Sequence, residues 1–166
     1  FFVIFWSVVL VGIIGVFVFF WLISAGKLGF MPTFEELENP NNRFASEVYF
    51  ADGPIMNRYF EKENRKYIEY REIPQSVNDA LIATEDVRFY DHSGVDVRGL
   101  FRVAKGLLTA NTSAGGGSTI SQQLAKMLFP RESDLNVFEL AIRKFREWVI
   151  AVRLEKSYTK EEILTM

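Results

Sequence analysis

The chain contains no cysteine and only one histidine, His92. Disulfide scaffolds, thiol nucleophiles and cysteine-held zinc are therefore excluded, and so is a histidine-rich metal site. Charge is missing from the first 26 residues; all Lys, Arg, Asp and Glu lie between Lys27 and Met166. Neither sign predominates. The 19 basic and 21 acidic side chains give a formal charge of −2, which offers no basic surface to nucleic acid. Internal repeats are absent, and low complexity is confined to Gly115-Gly116-Gly117.

The uncharged head, residues 1–26, reads FFVIFWSVVLVGIIGVFVFFWLISAG. At about 1.5 Å rise per residue, roughly 20 apolar residues span a hydrocarbon core of about 30 Å. A cleaved signal peptide has a shorter apolar run, about 7–15 residues, before a small-residue site. Ser24-Ala25-Gly26 could supply the site, but the run is too long, and Trp6 and Trp21 sit toward its ends, where interfacial aromatics belong. The segment is expected to be a retained transmembrane anchor, and a first residue of Phe rather than Met reads as a piece of a longer chain. Residues 27–44 form a polar connector with Pro32, Pro40 and an Asn39–Asn42 turn cluster. In residues 45–74, two β-prone runs, Ala45–Phe50 and Ile55–Phe60, flank Ala51-Asp52-Gly53-Pro54, which predicts a hairpin with a longer or bulged turn. From residue 75 to 166 the pattern is helical.

Three helical segments carry possible chemistry. In the first, Ser76 and Asp79 are spaced as a capping box, and Val77, Leu81 and Thr84 share a stripe. At 100° per residue, Glu85 falls about 40° from Leu81 and Asp86 about 140° away. Glu85 is thus expected on the apolar margin, where desolvation would raise its pKa and suit it to proton transfer. Asp86 suits a structural hydrogen bond or water. By pattern alone, two surface acids on an amphipathic helix is the commoner case.

The second segment runs from Gly115 to Lys126. Its glycines make a mobile loop that can approach a ligand closely, and Thr119-Ile-Ser-Gln122 fits a capping box. The helix N-terminus it opens would be a seat for phosphate, with Lys126 one turn beyond Gln122 on the same face. A flexible linker before a capped helix is the blander alternative. The third segment, Arg143-Lys144-Phe145-Arg146-Glu147, lies in a helix expected over about Val137–Lys156, with Val137, Ala141, Trp148 and Val152 as its apolar stripe. Taken alone, Arg143 and Lys144 with Glu147 would be a surface ion pair of about 0.3–0.5 kcal/mol.

The three segments together resemble a known pattern. Glu-Asp-x-x-Phe-x-x-His-x-Gly at 85–94, Gly-x-Ser-Thr-Ile-x-Gln-Gln at 116–123 and Arg-Lys-x-x-Glu at 143–147 occur in that order behind an anchor. They resemble the first three motifs of the peptidoglycan glycosyltransferases, glycosyltransferase family 51, found in class A penicillin-binding proteins and monofunctional transglycosylases. The likeness covers about Ala45 to Met166. Ser121 stands where the family usually has Thr, and Lys160-Glu-Glu-Ile-Leu-Thr-Met166 resembles the start of a fourth motif, so the glycosyltransferase domain at 75–166 is expected to be incomplete.

The resemblance implies a mainly α, lysozyme-like domain with a small hairpin before it. It implies polymerisation of lipid II onto a lipid-linked glycan strand through inverting β-1,4 transfer, with release of undecaprenyl diphosphate. The partners implied are lipid II, the nascent strand, the bilayer and other cell-wall synthesis proteins, at the periplasmic face of the bacterial inner membrane. Glu85 matches the general base and Glu147 the second essential acid, which either orients cations or helps hold a divalent ion. Asp86, Phe89, His92, Gly116, Ser118, Thr119, Gln122, Gln123, Lys126, Arg143 and Lys144 match substrate-site positions, the last three beside phosphate. No cofactor is firmly required, although Mg²⁺ is the natural partner of a diphosphate. Two other classes compete: a membrane-anchored lytic glycosidase, which needs a protonated acid but neither the Gly-Ser-Thr loop nor the cations, and a non-catalytic scaffold.

Overall fold

The computed structural model describes residues 1–38, 45–60, 66, 68–109, 116–129 and 136–166. The Asn39–Asn42 cluster and Gly115 lie outside these. Helix α1, Phe2–Ser24, is uncharged and apolar on every side, with a mean hydropathy of 2.8. A helix without a polar face needs lipid or a protein core around it, and α1 leaves nearly all its side chains exposed. It has the length and composition of a membrane span. Its last turns pack on a later helix, where Phe19 and Phe20 meet Phe145 edge to face at 5.3 and 5.8 Å between ring centres.

The connector is more structured than its composition implied. Helix α2, Phe34–Glu38, places Leu37 fully in the core, and the Leu37 carbonyl accepts from the Tyr158 hydroxyl at 2.5 Å. The expected hairpin is present as β1, Ser46–Tyr49, antiparallel to β2, Ile55–Tyr59. The register slips between Val48 and Tyr49, as a turn containing Pro54 requires, and Gly53 supplies the positive φ of +107°.

Among the described residues, five more α-helices follow: α3, Gln75–Glu85; α4, Val97–Leu108; α5, Ile120–Leu128; α6, Val137–Ser157; and α7, Lys160–Thr165. Three local expectations change. Pro74 is the N-cap of α3, and its carbonyl accepts from Val77 N at 2.9 Å. Ser76 therefore lies inside the helix and caps nothing, while Asp79 accepts from the Gln75 side chain. The inward side of α3 carries Asn78 and Ile82 rather than Val77, Leu81 and Thr84; Val77 is 53% exposed. Apolar residues occur all around this helix, so no single stripe was decisive.

Helix α6 likewise turns Arg146, Glu147, Ile150, Ala151 and Leu154 inward, not the stripe of Val137, Ala141, Trp148 and Val152. Its 21 residues far outrun the 9 of its main partner α5. The first turns of α6 therefore overhang, and Val137 is 85% exposed. Asn136 with Glu139 and Thr159 with Glu162 close capping boxes at the starts of α6 and α7. The core joins Phe89, Ile120, Leu124, Ile150, Leu154 and Ile163.

Candidate active site

Gly94 ties the first two motif segments to the helix that carries the third. With φ at +92°, it lies so close to α6 that a Cβ there would stand 2.7 Å from the backbone of Ala151 and Val152. Its carbonyl accepts from Thr119 Oγ1 at 2.7 Å and from Gln122 Nε2 at 3.3 Å. The first motif, the start of α5 and the later half of α6 thus meet at one residue.

Asp86 completes the junction. Its carboxylate accepts from Ile120 N, the first amide of α5, at 3.1 Å. His92 Nε2 lies 3.1 and 2.9 Å from its two oxygens and so is the donor. The helix N-terminus expected to seat phosphate is therefore filled by the protein's own anion, and Thr119 Oγ1 takes the Gln122 amide at 3.2 Å. Thr119, Gln122, Phe89 and Asp86 are all buried. Thr119 is the expected N-cap, but the Gln122 side chain turns to Gly94 instead of closing a capping box.

Glu85 ends α3 and is exposed. The expected apolar environment is not there: Asp86, at a non-helical φ of −156°, turns inward in its place. The helical wheel stops applying at this residue. Glu85 borders a cleft of about 150 Å³ together with Arg88, Arg102, Gly116, Gly117 and Ser118. Gln123 Nε2 donates to Glu85 Oε2 at 2.5 Å. Gly116 is open on its Cβ side, whereas Gly117 packs against Val103 of α4. Across the cleft, Arg88 pairs with Asp96, which also caps α4 by accepting from Gly99 N at 2.9 Å. Burial opposes ionisation of Asp96, but the Arg88 bond and the Gly99 amide outweigh it and hold the carboxyl below its usual range.

A second pocket is lined by Lys126, Arg143, Arg146 and Glu147 with Phe30 and Phe129. Glu147 is 8% exposed, so it is no surface pair. Lys144 Nζ lies 3.1 Å from its Oε2 and Lys126 Nζ 3.9 Å. The same Lys144 Nζ donates to Ser118 Oγ at 2.9 Å. Lys144 thereby bridges the cleft that holds Glu85 and the pocket that holds Glu147. Behind it, Ser121 donates to Glu155 at 2.5 Å, and Glu155 pairs with Lys160, whose Nζ also reaches the His92 carbonyl at 2.7 Å. The hydroxyl kept at Ser121 thus has a partner.

Among the described residues, no group of three or more His, Asp and Glu side chains converges as a metal site. Glu147 faces two lysines instead. That set of neighbours does not fit a divalent ion held by Glu147.

Residues 52–166 match the transglycosylase family profile. The chain belongs to the transglycosylase family. Over 136 residues, 82% of its length, it is 38% identical to penicillin-binding protein 1A of Escherichia coli K12. The figures for the proteins of the same name in Neisseria gonorrhoeae and Neisseria flavescens are 34% and 35% over the same length. The matched stretch is 15% to 16% of those relatives' own length. This transglycosylase domain has the mainly α, lysozyme-like fold with a two-stranded hairpin that the resemblance implied.

Arg146 is the residue that motif reading passed over in this transglycosylase. It occupies an unspecified position between Arg143 and Glu147, yet it is 8% exposed and lines their pocket. Charge pattern treats every arginine on a polar helix alike, so no sequence signal distinguished it.

Proposed function

We propose that this domain polymerises lipid II into β-1,4-linked glycan at the periplasmic face of the bacterial inner membrane, releasing undecaprenyl diphosphate. The observation that carries the reading is Lys144, bonded to Ser118 on the Glu85 side and to Glu147 on the cation side. A transferase needs both halves at once, a base for the acceptor and positive charge for the departing diphosphate.

Glu85 takes the proton from the acceptor sugar's 4-hydroxyl as that oxygen attacks the anomeric carbon of the donor. The bond from that carbon to the diphosphate oxygen breaks, and both electrons leave with the undecaprenyl diphosphate. Lys126, Arg143 and Lys144 stabilise the charge that grows there, so no carboxylic acid is required on the leaving side. Glu147 orients Lys144 and Lys126. Ser118 and Gly116 border the substrate cleft, and Gln123 holds the base. The buried Asp86, Thr119 and Gln122 act by positioning, because the α5 N-terminus and the Gly94 carbonyl are their partners; His92 holds Asp86, and Phe89 packs in the core beneath them. A lytic glycosidase has no use for this cation group.

The test is polymerisation of labelled lipid II by the full-length protein in vesicles. Glu85→Gln should lower the rate about 10²–10⁴-fold while lipid II binding survives. Polymerisation by that variant near the wild-type rate would sink the assignment of the base.

A further inference from the structure

The membrane helix is joined to α6 at two separate places. Phe19 and Phe20 pack on Phe145. Further along α6, about 12 Å by helical rise, Arg153 takes the end of α1. It donates from Nη2 to Ser24 O and Oγ at 2.9 and 2.7 Å, and from Nη1 to Pro32 O at 3.1 Å. Ser24 O is one of the carbonyls that a helix end leaves without an intrahelical partner, and a cation there meets the negative end of the helix dipole. The planar guanidinium serves both carbonyls at once, and so closes the turn between Ser24 and Pro32. Arg146 supports that turn from within: Gly29, at a φ of +113°, lies so close that a Cβ would stand 2.1 Å from Nη1. Ile23 and Pro32, on either side of the turn, are fully buried.

A single contact would be a pivot. Two contacts about 12 Å apart fix the angle between α1 and α6 as well as their separation. The 23 residues of α1 reach about 35 Å, more than a hydrocarbon core of about 30 Å. A span longer than its bilayer takes up the excess largely by tilt, so the tilt grows as the bilayer thins. An anchor on a flexible linker tilts without moving its domain. Here the tilt is carried into α6, which also holds Arg143, Lys144 and Glu147. We propose that Arg153 is a positioning residue that makes α6 follow the tilt of α1, so that glycan transfer depends on bilayer thickness. This coupling rests on the polymerisation reading above and makes a physical property of the membrane a regulator of that site.

The test uses the full-length protein in phosphatidylcholine vesicles with myristoleoyl, oleoyl or erucoyl chains, at one ratio of lipid II to lipid. Two quantities are read: the rate of polymerisation, and the distance between spin labels at Leu10→Cys in α1 and Lys156→Cys in α6. Wild type should hold the label distance constant across the three lipids while its rate changes about threefold or more. Arg153→Ala should let the distance shift with thickness and reduce the rate change to less than about 1.5-fold. Should the Ala variant fail to fold, Arg153→Lys, which keeps the charge but cannot span both carbonyls, should give an intermediate response in both readouts. A wild-type rate that ignores thickness overturns the proposal. So does an Arg153→Ala rate lowered by the same factor in all three lipids, because a merely structural contact would act that way. Failure of the underlying reading looks different: wild type would then keep its label distance and polymerise lipid II in none of the lipids.

Discussion

The amide of Gln123 donates to Oε2 of Glu85 at 2.5 Å, across 38 positions of sequence. One oxygen of an exposed carboxylate at the end of α3 is thereby fixed to α5, the helix that Asp86 and Gly94 in turn fix to the rest of the domain.

The first prediction concerns this bond. Gln123→Ala frees Glu85 to rotate, so kcat for polymerisation should fall about tenfold with KM little changed. Gln123→Glu sets a like charge beside the base, which disfavours the charged form of Glu85. The acid limb of the pH–rate profile should then move to higher pH, a shift that a merely structural contact would not produce. An unmoved limb in Gln123→Glu would remove Gln123 from the site.

A second prediction addresses Gly94. Gly94→Ala adds a methyl group against the α6 backbone at a φ that L side chains rarely adopt. Strain and overpacking together should cost about 2–5 kcal/mol. Thermal melting of the detergent-solubilised protein should show a Tm several degrees lower. A Tm equal to wild type would mean that this junction is looser than the contact distances state.

The third prediction follows from the Arg88–Asp96 pair. The Asp96 carboxyl is held below its usual range in the folded protein, so its contribution to stability is fully present above the unfolded value of about 3.9. That contribution is lost as pH falls through the lower, folded value. Asp96→Asn keeps an oxygen to accept from Gly99 N but loses the charge. Wild type should therefore melt higher than Asp96→Asn at pH 6, with the gap shrinking below about pH 4. A gap that holds constant down to pH 3 contradicts the charge-based account.

Much of this architecture could be read from residue order. The anchor, the Asp52-Gly53 hairpin, the α5 cap at Thr119 and the extent of α6 follow from local rules of length, turn chemistry and capping. The site residues were legible as motifs, but their division of labour was not. Asp86 and Glu85 exchange the expected environments because α3 ends between them, and a wheel drawn at 100° per residue cannot report where a helix stops. The α5 N-terminus is filled from 34 positions away, a distance no capping rule covers. Leu37, Arg146 and Arg153 escaped notice for the same reason. Their partners, Tyr158, Gly29 and Ser24, are far off in the chain.

The packing of Phe145 on Phe19 and Phe20 bears on kinetics. Glu147 follows two residues later on the same helix, about 3 Å along its axis. The pocket's acid and its cations therefore keep a fixed height relative to the last turns of α1. A protein seated this way meets lipid-borne molecules by lateral diffusion within a thin layer, not by collision from solution. Its turnover should then follow the mole fraction of substrate in the bilayer, so that adding inert lipid slows it even when the total amounts of enzyme, substrate and water stay the same.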